Sequence, residues 1–129
     1  MQPASEKRRC DVAEINQIME QLSGIAGLDR LKTDAGVTAQ YAVDGVVPKA
    51  VVFPKDTRMV AALVQCASRG NLGLVPWGSG TKMAMGNPPK RLDLVVCMAR
   101  MNHMLDVDTA NLTITVEAGV KFRDVQARL

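Results

Sequence analysis

Apolar residues at Val12, Ile15, Ile18, Met19 and Leu22 recur at steps of three and four, the period of a helix with one sticky face. The spacing predicts a packing helix over 5–23, with Ser5 as its cap and Gly24 and Gly27 as its stop. Leu31 to Val46 shows no clear period and offers only the turn signals Thr33-Asp34 and Asp44-Gly45. Ala50-Val51-Val52-Phe53, bracketed by Pro48 and Pro54, is a short apolar run with the length and branching of a buried strand. Asp56 or Thr57 then caps a helix that runs to Arg69, with Val60, Leu63, Val64 and Ala67 on one face and Ala61 beside them. Gly70 is placed to follow it as the C′ residue.

Leu72 to Val75 reads as the next strand, so 50–76 forms a βαβ unit. Direct parallel pairing of 50–53 with 72–76 is expected. Leu92 to Val96 gives a third strand, and Met98 to Asn102 a helical turn. Met104 to Val107 and Leu112 to Glu117 make a hairpin around Asp108-Thr109-Ala110-Asn111. Gly119 marks a bend, and Phe122, Val125 and Leu129 begin another helical face. The fold class is α+β: a βαβ unit with a glycine-rich loop, plus a β-hairpin. By segment it is a helix 5–23, the βαβ unit 50–76, the loop 77–90 and a β-rich part 91–120.

The loop that leaves the second strand carries the candidate chemistry. Gly78, Gly80 and Gly86 let backbone N–H groups turn inward without a Cβ in the way, and successive inward N–H groups make a nest for an anion. Ser79 and Thr81 add hydroxyl donors, Lys82 adds charge, and Asn87 with Pro88-Pro89 closes the stretch. Two named nucleotide motifs fail here. Lys82 follows Thr81 rather than the glycine of a P-loop. Gly78-x-Gly80 lacks the third glycine of a dinucleotide fingerprint, and the prolines forbid a helix soon after. The residues alone leave two readings, a solvated surface loop and an anion loop of unusual type. The position favours the second, because ligands of open α/β sheets collect at the C-terminal ends of strands. Trp77 either stacks on a flat ligand ring or covers the strand end.

Composition narrows the classes. The chain has 129 residues, 47% of them hydrophobic and 22% charged, which suits one modest soluble domain with a core. A net charge of +3 without a long basic block argues against nucleic acid. Cys10, Cys66 and Cys97 lack metal-ligand spacing, so no metal site is expected and reduced thiols point to the cytoplasm. No run has the length of a membrane span, and the charged N-terminus is not a secretory signal. The single His103 has no readable partner, and no residue can be assigned as a catalytic acid or base.

The stretch PKAVVFPKDTRMVAALVQCASRGNLGLVPWGSGTKMAMGNPP, followed by RLDLVVCMARMNHMLDVDTANLTITVEAGVKFRDVQARL, resembles the first part of an FAD-binding domain of the vanillyl-alcohol oxidase type. The likeness is greatest to the glycolate oxidase FAD-binding subunit and D-lactate dehydrogenase group, and it covers about residues 45–129. It implies FAD as cofactor, with Gly78, Ser79, Gly80, Thr81 and Lys82 around the pyrophosphate and Gly86 and Asn87 closing the far side of the loop. Many relatives have glycine where Lys82 stands. Some attach FAD through a His or Cys of this loop; residues 76–89 hold neither, so the implied FAD is non-covalent. The implied reaction is oxidation of a small 2-hydroxy acid such as glycolate or lactate. The implied partners are the iron–sulfur and second flavin subunits of a glycolate oxidase complex. The family domain runs on beyond its V-x-A-G-V segment, so these residues are expected to be a truncated first part, inactive alone and prone to self-association through uncovered apolar surface. The rival class is a non-enzymatic assembly module, or a binder of a smaller phosphate ligand. Failure of 50–53 to pair with 72–76 is expected to sink that topology and the family reading together.

Overall fold

Leu94-Val95-Val96-Cys97 is apolar at every position, and a strand of that kind needs cover on both faces. The computed structural model describes residues 12–129 and seats this strand inside a four-stranded sheet. The elements in chain order are α1 (Val12–Ala26), β1 (Leu31–Lys32), α2 (Ala35–Thr38), β2 (Ala50–Val52), α3 (Thr57–Arg69), β3 (Leu74–Trp77), β4 (Leu94–Cys97), β5 (Met104–Asp108), β6 (Thr113–Val116) and α4 (Phe122–Arg128). Short 3-10 turns lie at Ala39–Tyr41 and Met98–Arg100. The sheet order is β1-β2-β4-β3, with β2, β4 and β3 parallel and β1 antiparallel on the outside. Helices and a largely parallel sheet agree with the expected class.

The expected direct pairing of 50–53 with 72–76 does not occur. Val51 and Val75 are both partners of Val95, and β4 lies between their strands. The fully buried β4 takes the centre, whereas β3 is only half-buried and contains Pro76. Proline has no N–H to donate, so it suits the edge strand.

α1 and α3 cover one face of the sheet. Leu22, Leu63, Cys66 and Ala67 pack there with Val52, Leu94 and Val96. On the other face Val51, Val95 and Cys97 meet Val43, Tyr41, Trp77 and Met83. Asp56 is the cap of α3, its carboxylate accepting the Met59 N–H at 2.8 Å. Three local readings change. Gly24 lies within α1, which continues to Ala26; the start of the expected helix 5–23 falls outside the described residues. The buried stripe of α3 runs through Leu63, Cys66 and Ala67, while Val64 is 47% exposed and Ala61 also faces solvent. The left-handed residue after α3 is Asn71, with φ 49°, and not Gly70.

Asp93 ties the strands together at their N-terminal ends. Its side chain is only 4% exposed, bridges Lys49 at 2.8 Å and Arg91 at 2.9 Å, and accepts the Gly73 N–H at 2.7 Å. Burial alone would raise this carboxyl. The Lys49 and Gly73 hydrogen bonds and the Lys49 and Arg91 charges outweigh burial and hold it below the usual carboxylate range.

β5 and β6 form the expected antiparallel hairpin as a separate sheet. Asp108 Oδ1 accepts the Ala110 and Asn111 N–H groups and shapes its turn. Leu105, Val107 and Leu112 of the hairpin region lie exposed, as do Phe122 and Leu129 of the α4 region. Only Val125 of the expected face around α4 is buried.

Candidate functional site

Because β3 and β4 run parallel, Trp77 and Cys97 end together at one edge of the sheet. There they open on a cleft of about 430 Å³. Tyr41 completes the floor, its ring edge-on to Trp77 with centroids 5.0 Å apart. Burial, and then the neighbouring Cys97 thiol, push the Tyr41 phenol up. Gly78 and Ser79 form one wall, and Gly119, Val120 and Lys121 a second.

The second wall is held by backbone contacts. Gly119 donates its N–H to the Met101 carbonyl at 2.8 Å. A Cβ on Gly119 would run into the Met98 carbonyl oxygen and lie 2.7 Å from that of Met101. Only glycine lets these two stretches approach so closely. Two residues earlier, Glu117 Oε2 accepts the His103 N–H at 2.9 Å and lies 2.6 Å from His103 Nδ1. The His103 backbone and side-chain hydrogen bonds, in that order, hold the Glu117 carboxyl below its usual range. His103 therefore has a partner that spacing did not reveal. The pair clamps the chain before β5 to the end of β6.

The first wall contains the glycine loop. Gly80 has φ +72°, the left-handed region that favours glycine. Among the described residues, the N–H groups of Gly78, Ser79 and Gly80 have no hydrogen-bond acceptor. A Cβ on Gly78 would come within 3.9 Å of the Ala118 carbonyl oxygen on the opposite wall, so a side chain there would reach across the mouth of the cleft. Free donors beside an open cleft fit a pyrophosphate group. Met83 anchors the loop in the core beneath. Of the sequence candidates, Gly78 and Ser79 line the cleft, and Gly80 follows them directly; Thr81, Lys82, Gly86 and Asn87 are exposed on the outer part of the loop, outside the cleft lining.

Sequence reasoning missed Tyr41, Cys97, Val120, Lys121 and Asp124 as cleft residues. Gly119 was the available signal: a glycine just beyond an alternating strand can mark a close backbone approach.

A family model described as an FAD binding domain matches residues 48–129. The chain belongs to that FAD-binding domain family. FAD is therefore the cofactor. The glycolate oxidase subunit GlcD of Bacillus subtilis is 31% identical over 108 residues, which are 80% of this chain and 23% of that protein. The probable mitochondrial D-lactate dehydrogenase of Danio rerio is 22% identical over 131 residues, 98% of this chain and 26% of that protein. The crystal structure of p-cresol methylhydroxylase with substrate bound superposes with a TM-score of 0.76 at 16% identity, covering 91% of this chain and 24% of that one. The chain thus spans about a quarter of these proteins' lengths. The family stands although β2 and β3 do not pair, so that pairing was the wrong test of it. No described helix is long and apolar enough to cross a membrane, and no group of side chains that could hold a metal occurs among the described residues.

Proposed function

We propose that this chain supplies the pyrophosphate-holding part of the FAD site in an oxidoreductase that oxidises a small 2-hydroxy acid such as glycolate or lactate. The observation that carries the reading is the cleft at the ends of β3 and β4, with free N–H groups beside it at Gly78, Ser79 and Gly80. Those N–H groups and the Ser79 hydroxyl would hold the pyrophosphate. Thr81, Lys82, Gly86 and Asn87 would form the outer turn of the same loop. Bound FAD supplies the acceptor for the hydride from the α-carbon of the acid. The protein's own contribution here is binding and orientation: Trp77 and Tyr41 exclude water from the cleft floor, and Gly119 fixes its second wall. Residues 76–89 hold no His or Cys, which supports non-covalent binding.

Similarity to a glycolate oxidase subunit and a D-lactate dehydrogenase supports the substrate class. Likeness to a glycolate oxidase subunit supports assembly with other subunits, which we take to be an iron–sulfur and a second flavin subunit, and the free thiols Cys66 and Cys97 favour the cytoplasm. The exposed side chains Leu112 and Phe122 would drive self-association of residues 1–129 expressed alone.

The test is to purify the protein from its complete reading frame and precipitate it with acid. FAD released into the supernatant, and anaerobic bleaching of the bound flavin by glycolate or lactate, are the expected results. Colourless protein that takes up no added FAD refutes the cofactor site. Bound FAD that neither acid bleaches refutes the substrate class alone.

A further inference from the structure

The sequence singled out Lys82 and passed over Lys121, and the cleft lining reverses that order. Lys82 belongs to the glycine loop, yet it lies outside the cleft lining. Lys121, far away in sequence, lines the same cleft as Gly78 and Ser79 and is the one cation among the described lining residues. Its ammonium group has no carboxylate partner among the described residues. Its backbone is fixed by its neighbours, since Gly119 donates to Met101 and Val120 donates to Glu117 at 3.1 Å. Asp124, the one acidic lining residue, has Arg123 Nε at 3.7 Å from its carboxylate.

We propose that Lys121 is the phosphate-contacting cation of this site, placed by the Gly119–Met101 and Val120–Glu117 backbone hydrogen bonds to reach the pyrophosphate of the dinucleotide from the second wall. The inference rests on the FAD reading above. An ammonium group beside a diphosphate makes a charge-assisted hydrogen bond. Removing it weakens phosphate-bearing ligands and lowers the salt sensitivity of their binding, since an exposed ion contact is screened by salt. A purely structural role would change neither salt sensitivity nor ligand preference.

The experiment uses apoprotein from the complete reading frame, titrated with FAD by equilibrium dialysis at low and high salt. Wild type is compared with Lys121→Gln, Lys121→Arg and Lys82→Gln, with thermal unfolding as a check on each. Lys121→Gln is expected to weaken FAD about ten-fold, as loss of a charged hydrogen bond does, and to flatten the salt dependence. Lys121→Arg is expected to restore most of both, and Lys82→Gln to weaken FAD less than Lys121→Gln. Folded Lys121→Gln protein that binds FAD as wild type does, with the same salt dependence, overturns the assignment and leaves the FAD reading intact. Wild-type protein that binds no FAD removes both.

Discussion

Trp77 lies where a side chain on Gly80 would go: a Cβ there would approach the indole Cζ2 to 2.7 Å and its Nε1 to 2.8 Å. A branched side chain at Gly80 would therefore not project into the space between the walls. It would instead press on the cleft floor, from a backbone conformation with φ +72°. Gly80→Val is expected to lose FAD while the protein stays folded. The strain costs about 1–2 kcal/mol. Flavin absorbance per folded protein, read beside thermal unfolding, checks this, and full flavin content would remove the loop from the pyrophosphate site.

Gly119→Ala strikes the opposite wall. Its Cβ meets two backbone carbonyls that cannot swing aside as a flexible side chain could. The expected outcome is a loss of about 1–3 kcal/mol, typical of overpacking, together with loss of flavin, because Gly119 and Val120 line the cleft. A denaturant melt and a flavin count on the same sample provide the measurement. Unchanged values for both would show that the clamp is dispensable.

Leu63→Ala separates folding from binding. Leu63 is fully buried between α3 and the sheet, on the face away from the cleft-floor residues Tyr41 and Trp77. Truncation should cost about 2–5 kcal/mol. Protein that survives purification should still carry FAD in wild-type proportion.

Asp93 predicts a pH response. Its carboxyl is held below the usual range in the folded protein, so the folded state binds its proton less readily than the unfolded chain does. Its stabilisation is then fully present above the ordinary carboxylate pKa of about 3.9. It is lost as pH falls from there through the depressed folded value. Asp93→Ala removes that component and strands the Gly73 N–H, at a cost of about 1–3 kcal/mol at neutral pH. Urea melts between neutral and acid pH should show the gap between wild type and variant narrowing on the acid side. A constant gap would contradict the carboxylate's role.

Much of the frame was legible because it is local. Asp56 and the apolar spacing after it placed α3, and Asp108 to Asn111 placed the hairpin turn. Glycine chemistry and the position after a strand singled out the stretch from Gly78, whose first two residues line the cleft. The sheet order was not legible, since pairing depends on which strand most needs cover; Pro76 was the overlooked sign that β3 is an edge. β1 has only two residues and cannot show a period. Tyr41 and Lys121 reach the cleft through packing between distant parts of the chain, which no short window contains. Val64 was misplaced because apolar character and spacing suggested the stripe, whereas Cys66 occupies it.

The seat of β4 between β2 and β3 also has a consequence for the order of assembly. β2, α3 and β3 are complete by Trp77, yet β2 and β3 do not pair with each other in the sheet. A growing chain can build α3 and the β1–β2 pair early, but the parallel core closes only once Leu94 to Cys97 have been delivered and threaded between their neighbours. Contacts that distant in sequence are slow to form. Until Cys97 emerges the inner edges of β2 and β3 lack their partner strand, and unpaired edges of that kind expose a nascent chain to aggregation.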